Sequence, residues 1–448
     1  MKRKLSTILT IIFVIAVLAA MFAILMQISN NPDNTSDSSA LSTDDSASNS
    51  DKSSSNSENS IPIISEPPQD TVVSFLACPD NIMHHSILYD ALIRAAEKKG
   101  EAPVYSPLED AVFDFDQIYE DFEDEIAAAD LSYINVETMM GGNEHGISGY
   151  PRFNSPEAAG DKLYDLGFDI YNLAHNHMLD SGNDVYLKHC HGFFTEKGVY
   201  TLGFYENEAA TEDIVIVDKK GVKIAFLAYT YGTNGLTLRN SDTYIPYFNE
   251  ALIKKQVTLA KQQADFIIVS AHWGIEDSFT PNSEQRTYAK LFSDLGVDVV
   301  LGMHPHVLQP MEWVENNEGH RMLLVYSMGN FISGMQDDAE LLGSTLSFDI
   351  VKDGETGEVT AKKVRFNPIV THYIVPGGRI NGLDTGNRDY KIYYLEDYTK
   401  ELASIHGAKK WDLTHRTTLI GGGFTYENLL RTVNELIPKE FLSEFYQD

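Results

Sequence analysis

Ala271-His272-Trp273-Gly274-Ile275-Glu276 and Gly302-Met303-His304-Pro305-His306 each follow an apolar, β-branched run, Phe266 to Val269 in the first case and Val297 to Leu301 in the second. Such runs read as strands buried on both faces, so each histidine cluster falls just past the C-terminal end of a strand. Open α/β sheets gather their chemistry at those ends. Upstream, Tyr171-Asn172-Leu173-Ala174 leads into His175-Asn176-His177, and Leu131 to Val136 leads into Glu137. Four strand ends thus deliver imidazoles, an amide and a carboxylate to one rim. That donor set suits a metal centre of the kind hydrolases use.

Outward from these strands the pattern alternates. Val72 to Cys78 reads as a strand and Ser86 to Lys99 as a helix stopped by Gly100; Phe115 to Ala129 reads as an acidic helix feeding the strand at Leu131. Helices over 156–166, 184–197, 247–263 and 283–295 alternate with strands at 169–173, 266–270, 297–301 and 322–326, a βαβ rhythm. Lys219-Lys220-Gly221 joins two strands as a tight turn, and Asp353 to Gly357 joins another pair. Parallel strands in the middle with hairpins at the margins predict an α/β fold of two mixed sheets packed face to face, helices outside. Residues 374–448 read as an α+β appendage with no assigned role, which leaves 71–373 as the main domain.

The N-terminal part is of a different kind. Leu5 to Met26 is uncharged and mostly apolar behind Lys2, Arg3 and Lys4, long enough to span a bilayer, so residues 1–28 are expected to be a signal-anchor or transmembrane helix, with a cleaved signal peptide as the alternative. The basic flank stays in the cytoplasm. Everything after it is then extracellular, and the protein is expected at the cell membrane with a single pass. Residues 29–70, rich in Ser, Asn and Asp, cannot bury enough apolar surface to fold and read as a tether. Only two cysteines occur, both beside apolar runs, and they read as buried thiols. The formal net charge of −31 argues against nucleic acid as a partner.

The motifs Pro79-Asp80-Asn81-Ile82-Met83-His84, Asn135-Val136-Glu137, Asn176-His177-Met178-Leu179-Asp180-Ser181-Gly182, His272-Trp273-Gly274-Ile275-Glu276, Gly302 to Gln309 and Tyr326 to Phe331 resemble, in order, those of the CapA family. These are poly-γ-glutamate capsule biosynthesis proteins, a branch of the calcineurin-like metallophosphoesterases. The resemblance covers about Val72 to Phe366. It implies a four-layer α/β/β/α sandwich and divalent metal ions, two of them, of the Mn, Fe or Zn class. Asp80, Glu137, Asn176, His272, His304 and His306 would be the ligands, with Glu137 as the bridge. His177 would hydrogen-bond a substrate oxygen or protonate the leaving group; Asp180 would either orient it or cap the helix that follows.

One departure stands out. The superfamily's first motif is Asp-x-His, whereas here it is Asp80-Asn81-Ile82, which makes His84 or His85 the nearest substitute ligand. Arg152 is a candidate anion clamp, and Asn154, Asn234 and Glu276 are candidate substrate contacts. The resemblance implies a metal-dependent hydrolase acting on a phosphoester or an envelope polymer in the synthesis or export of poly-γ-glutamate. The alternative is a non-catalytic accessory subunit that binds an anionic polymer. In either case membrane subunits of a polymer synthase are the expected partners.

Overall fold

The computed structural model describes residues 68–376, 379–380, 383–384, 387–410 and 417–447. The expected span Leu5–Met26 and the tether up to residue 67 lie outside them. Among the described residues no helix is long and apolar enough to cross a membrane.

In chain order the strands are β1 (Thr71–Asn81), β2 (Leu131–Asn135), β3 (Ile170–Asn172), β4 (Tyr200–Leu202), β5 (Val215–Lys219), β6 (Val222–Thr230), β7 (Phe266–His272), β8 (Val299–Met303), β9 (Met311–Glu315), β10 (Arg321–Val325), β11 (Asn330–Ile332), β12 (Leu342–Lys352), β13 (Val359–Ile374), the two-residue β14 (Arg379–Ile380) and β15 (Leu383–Asp384), and β16 (Asp389–Tyr394). They form two mixed sheets and one small hairpin. The larger sheet runs β16-β13-β12-β1-β2-β3-β4, with β11 pairing on the end of β1, and the smaller runs β5-β6-β7-β8-β10-β9. In the first, β1 to β4 are parallel; in the second, β6, β7, β8 and β10 are.

Period-two alternation explains why the smaller sheet lies between two apolar layers. On β6, Ile224, Phe226 and Ala228 join one buried cluster, and Ala225, Leu227 and Tyr229 join another. Phe266 and Ile268 separate from Ile267 and Val269 in the same way, as do Leu323 and Val325 from Met322 and Leu324. The first cluster is shared with the larger sheet: Phe75 and Phe226 stack 6.1 Å apart, and the Tyr133 hydroxyl meets Ser270 Oγ at 2.6 Å. Helices Glu250–Gln263 and Ser283–Asp294 cover the second cluster through Leu252, Ile253, Val257, Ala289 and Phe292. Each of the Leu, Ile, Val and Phe side chains among these contributes about 1.5–3 kcal/mol on burial.

The tight turn predicted at Lys219–Gly221 is present, with positive φ at Lys220 (53°) and Gly221 (80°), as a two-residue turn between twisted strands requires. Two expectations change. The acidic helix expected over 115–129 is broken into Asp116–Tyr119, a 3₁₀ turn and Glu123–Ala128, while Phe115, Ile118, Tyr119, Phe122 and Ile126 all remain buried in the core. The boundary expected at residue 374 does not separate two bodies. β16 extends the larger sheet beyond β13, and Leu429, Val433, Phe441 and Tyr446 belong to the first core cluster.

Candidate metal centre

Strand ends do deliver the donors to one place. Asp80 ends β1, Glu137 follows β2, Asn176 and His177 follow β3, His272 ends β7, and His304 and His306 follow β8. Apart from His177, at 9%, each is 3% exposed or less. Ligand atoms of Asp80, Glu137 and His272 lie within 4.8 Å of one another, and so do those of Glu137, His304 and His306. Glu137 belongs to both groups. His272 Nε2 is 3.1 Å from Asn176 Oδ1 and 3.7 Å from Glu137 Oε1, and His306 Nε2 is 3.5 Å from the same oxygen.

Local backbone makes this possible. His304 (φ 95°) and His306 (φ 58°) both occupy the left-handed region, an unfavourable conformation for residues other than glycine, so their two rings turn toward the same centre. Gly302 lets β8 approach its neighbour: a Cβ there would lie 2.1 Å from the Tyr326 carbonyl oxygen.

Amides hold the acids in place. Asn172 Nδ2 donates to Asn135 Oδ1 (2.7 Å), Asn135 Nδ2 donates to Asp80 Oδ1 (2.6 Å), and the His304 backbone N–H donates to Asp80 Oδ2 (3.0 Å). Behind His306, Asn330 Oδ1 lies 3.0 Å from Nδ1. In the sequence Asn135 and Asn172 look like polar interruptions of strands, and Asn330 reads as a turn residue first and a site residue second; only β1–β2–β3 pairing and the β1–β11 register bring the three to the donors.

Electrostatics mark the pocket as unfinished by protein alone. Burial, then the charge of Asp80, pushes the Glu137 carboxyl well above the usual range. Burial alone would lower His306, but Glu137 and Asp80 outweigh it and raise the imidazole to about 10. His272 and His304 are held well below the ordinary value by burial and by neighbouring imidazoles, and so are neutral donors. Neither Glu137 oxygen, nor His272 Nδ1, nor His304 Nδ1 has a hydrogen-bond partner among the described residues. A buried carboxylate with both oxygens unsatisfied is costly. Divalent cations of the Mn, Fe or Zn class would satisfy this mixed imidazole, carboxylate and amide set.

Beside the donors, His177 Nδ1 is 2.8 Å from Asp180 Oδ2, which also accepts the Phe153 backbone N–H at 2.7 Å. Asp180 therefore orients the imidazole, and the edge of Phe153 packs on that ring (4.8 Å). The remaining candidates divide. Arg152 and Glu276 are exposed, and Glu276 adds to the upward shift of Glu137. Asn234 accepts from Asn176 Nδ2 (3.3 Å) and so turns the ligand amide. Asn154 is fully buried and cannot touch a substrate: its side chain ties Gly141 N, Gly142 O and Gly146 O together. His84 is not part of either donor group. Its Nδ1 accepts the Gly334 N–H (3.1 Å), and its ring stands edge-on to Phe153. His85 likewise accepts from Gly149 N.

The profile of the family described as bacterial capsule synthesis protein PGA_cap matches residues 74–335, a stretch that contains every donor. The chain belongs to that family. The PGA biosynthesis protein CapA of Bacillus subtilis (strain 168) is 35% identical over 173 residues, 38% of this chain and 44% of that protein. The capsule biosynthesis protein CapA of Bacillus anthracis is 31% identical over 174 residues, 38% of this chain and 41% of that protein. The match thus spans less than half the length of either CapA relative. Among solved structures, the calcineurin-like phosphoesterase YfkN from Bacillus subtilis aligns at 13% identity and a TM-score of 0.40, over 67% of this chain and 91% of that one.

Proposed function

We propose that this PGA_cap family member is a metal-dependent hydrolase, anchored in the membrane through residues 5–26, that acts outside the cell on a phosphoester or an anionic envelope polymer during capsule synthesis or export. The observation that carries the reading is Glu137, buried, shared by two donor groups and without a protein partner for either oxygen among the described residues. Asp80, Glu137, Asn176, His272, His304 and His306 would hold the metal. When bound, divalent ions in such a site polarise a phosphoryl or carbonyl oxygen and make water acidic enough to serve as a nucleophile at neutral pH.

The chain's own residues do the rest. Asp180 takes the Nδ1 side of His177, which leaves Nε2 for the substrate, where it can hydrogen-bond an oxygen or give a proton to the leaving group. Arg152, exposed beside Phe153, supplies a guanidinium for a carboxylate or phosphate further along the substrate. Asn234 and Asn135 keep a ligand amide and a ligand carboxylate in position.

One observation favours a second reading, an accessory subunit that binds an anionic polymer without cleaving it. The first motif lacks its histidine, and His84 is engaged with Gly334. Metal stoichiometry and hydrolysis of a generic phosphodiester and of poly-γ-glutamate, measured on the full chain, decide between the two. His304→Ala should remove both metal and turnover, whereas His177→Ala should keep metal and lose ~10²–10⁴-fold in rate. A wild-type protein that binds metal and hydrolyses neither substrate, with a His177 variant that supports polymer production fully, sinks the hydrolase and leaves the accessory role.

A further inference from the structure

His175 opens the segment that carries Asn176 and His177, yet it belongs to neither donor group and, fully buried, cannot reach a substrate. The chain around it is fixed by short-range hydrogen bonds as it leaves β3. Asn172 Oδ1 accepts the Ala174 backbone N–H (3.1 Å), and the end of β4 passes so close that a Cβ on Gly203 would lie 2.5 Å from the Ala174 nitrogen. His175 makes the next link: its Nδ1 accepts the His177 backbone N–H at 3.1 Å.

A side-chain acceptor bonded to the N–H two residues on closes a turn, and Asn and Asp supply that acceptor most often. Here an imidazole supplies it. Asp180 Oδ2 takes the other end of the residue, at 2.8 Å from His177 Nδ1. His177 is thus held at two points, its main chain by His175 and its ring by Asp180. The His175 ring also stands edge-on to His272 (centroids 6.0 Å apart, 63°), the imidazole that meets Asn176 Oδ1. Two features of His175 can therefore be told apart, the acceptor that serves His177 and the ring that packs on a donor.

We propose that His175 is a positioning residue for His177, and that its Nδ1, by closing the turn, aims the imidazole held by Asp180 at the substrate. The idea rests on reading His177 as the group that meets the substrate. Without the acceptor a buried backbone N–H loses its partner, the turn rotates to recover one, and the ring swings away from Asp180. Small misplacements of a reacting group are costly in rate even where every ligand is kept.

His175→Asn and His175→Leu separate the two features. Both lack the ring and have nearly the same shape, but only Asn keeps an acceptor on the atom next to Cβ. Metal stoichiometry, KM and kcat on a phosphodiester are measured on the full chain, and the Zn²⁺-loaded, ¹⁵N-histidine-labelled protein is examined by NMR for the His177 Nδ1 proton bonded to Asp180, assigned by its absence from His177→Ala. The Asn variant should match the wild type to within about threefold in kcat and keep that proton signal, whereas the Leu variant should keep metal and KM, lose ~10–100-fold in kcat and lose the signal to exchange. A Leu variant with wild-type kcat and signal overturns the proposal. So does an Asn variant as impaired as Leu, because the ring and not the acceptor then matters. A Leu variant that does not fold, or that loses metal, overturns it too, since His175 then serves the fold or Asn176, and a wild type without the Nδ1 proton signal does the same. If the wild type shows the signal but turns nothing over, the hydrolase reading fails while the signal in the Asn and Leu variants still decides the role of His175.

Discussion

Asn135→Leu tests whether amides inside the sheet support the donors. The substitution keeps the size of the side chain and removes two hydrogen bonds, the 2.6 Å bond donated to Asp80 Oδ1 and the 2.7 Å bond accepted from Asn172. A hydrogen bond to a charged group is worth ~1.5–3 kcal/mol, and leaving a buried donor without a partner costs ~1–3 kcal/mol more. Asn172 Nδ2 keeps a weaker contact with the Ala174 carbonyl (3.3 Å), so its share falls at the low end. The loss should then be about 3 kcal/mol. For a body of about 380 residues the unfolding entropy is roughly 0.8 kcal/mol per degree, and 3 kcal/mol lowers Tm by about 4 °C. Thermal unfolding of the EDTA-treated protein isolates this effect from any metal. Metal affinity of the variant should also fall by ~10–100-fold, since Asp80 loses the partner that orients it. A variant with wild-type Tm and wild-type metal affinity would show that the Asn172–Asn135–Asp80 chain has no energetic role.

Three further outcomes follow from the structure. Asp180→Asn should leave metal stoichiometry unchanged and lower turnover by ~10–100-fold, because the oxygen that fixes the His177 ring is altered while no donor is removed; a metal titration beside steady-state rates reads both. Gly302→Ala should destabilise by at least ~1–3 kcal/mol, since its Cβ would sit 2.1 Å from a carbonyl oxygen, whereas Gly192→Ala, on a helix with open space around it, should stabilise by ~0.5–1 kcal/mol in the same unfolding assay.

The strands that carry His272, His304 and His306 were legible because their apolar runs are long and β-branched, and a histidine directly after such a run has few other places to go. Lys220-Gly221 was legible for a local reason, its need for positive φ. What escaped depends on partners distant in the chain. Asn330 reaches His306 only because β11 pairs with β1, whose register partner Asp80 lies 250 residues earlier. Asn154 follows motif residues in the sequence, but its side chain is drawn inward by three hydrogen bonds to glycine backbones. β16 alternates buried Tyr390 and Ile392 with Asp389 and Lys391, and reads as an isolated segment until β13 is seen to leave an edge for it.

The order of strands in the larger sheet has a consequence for synthesis. β5 to β10 come from one continuous stretch, 215–325, so the smaller sheet closes on itself through short connections as soon as that stretch has left the ribosome. β1, made first, finds its neighbours on the other side only in β11 and β12, within residues 330–352. Until then the strand that ends in Asp80 keeps a bare edge, and its hydrogen-bonding groups are open to other nascent chains. Pairing of that edge therefore waits for the late strands of the sheet, and the acidic pocket is assembled only after most of the chain has been made.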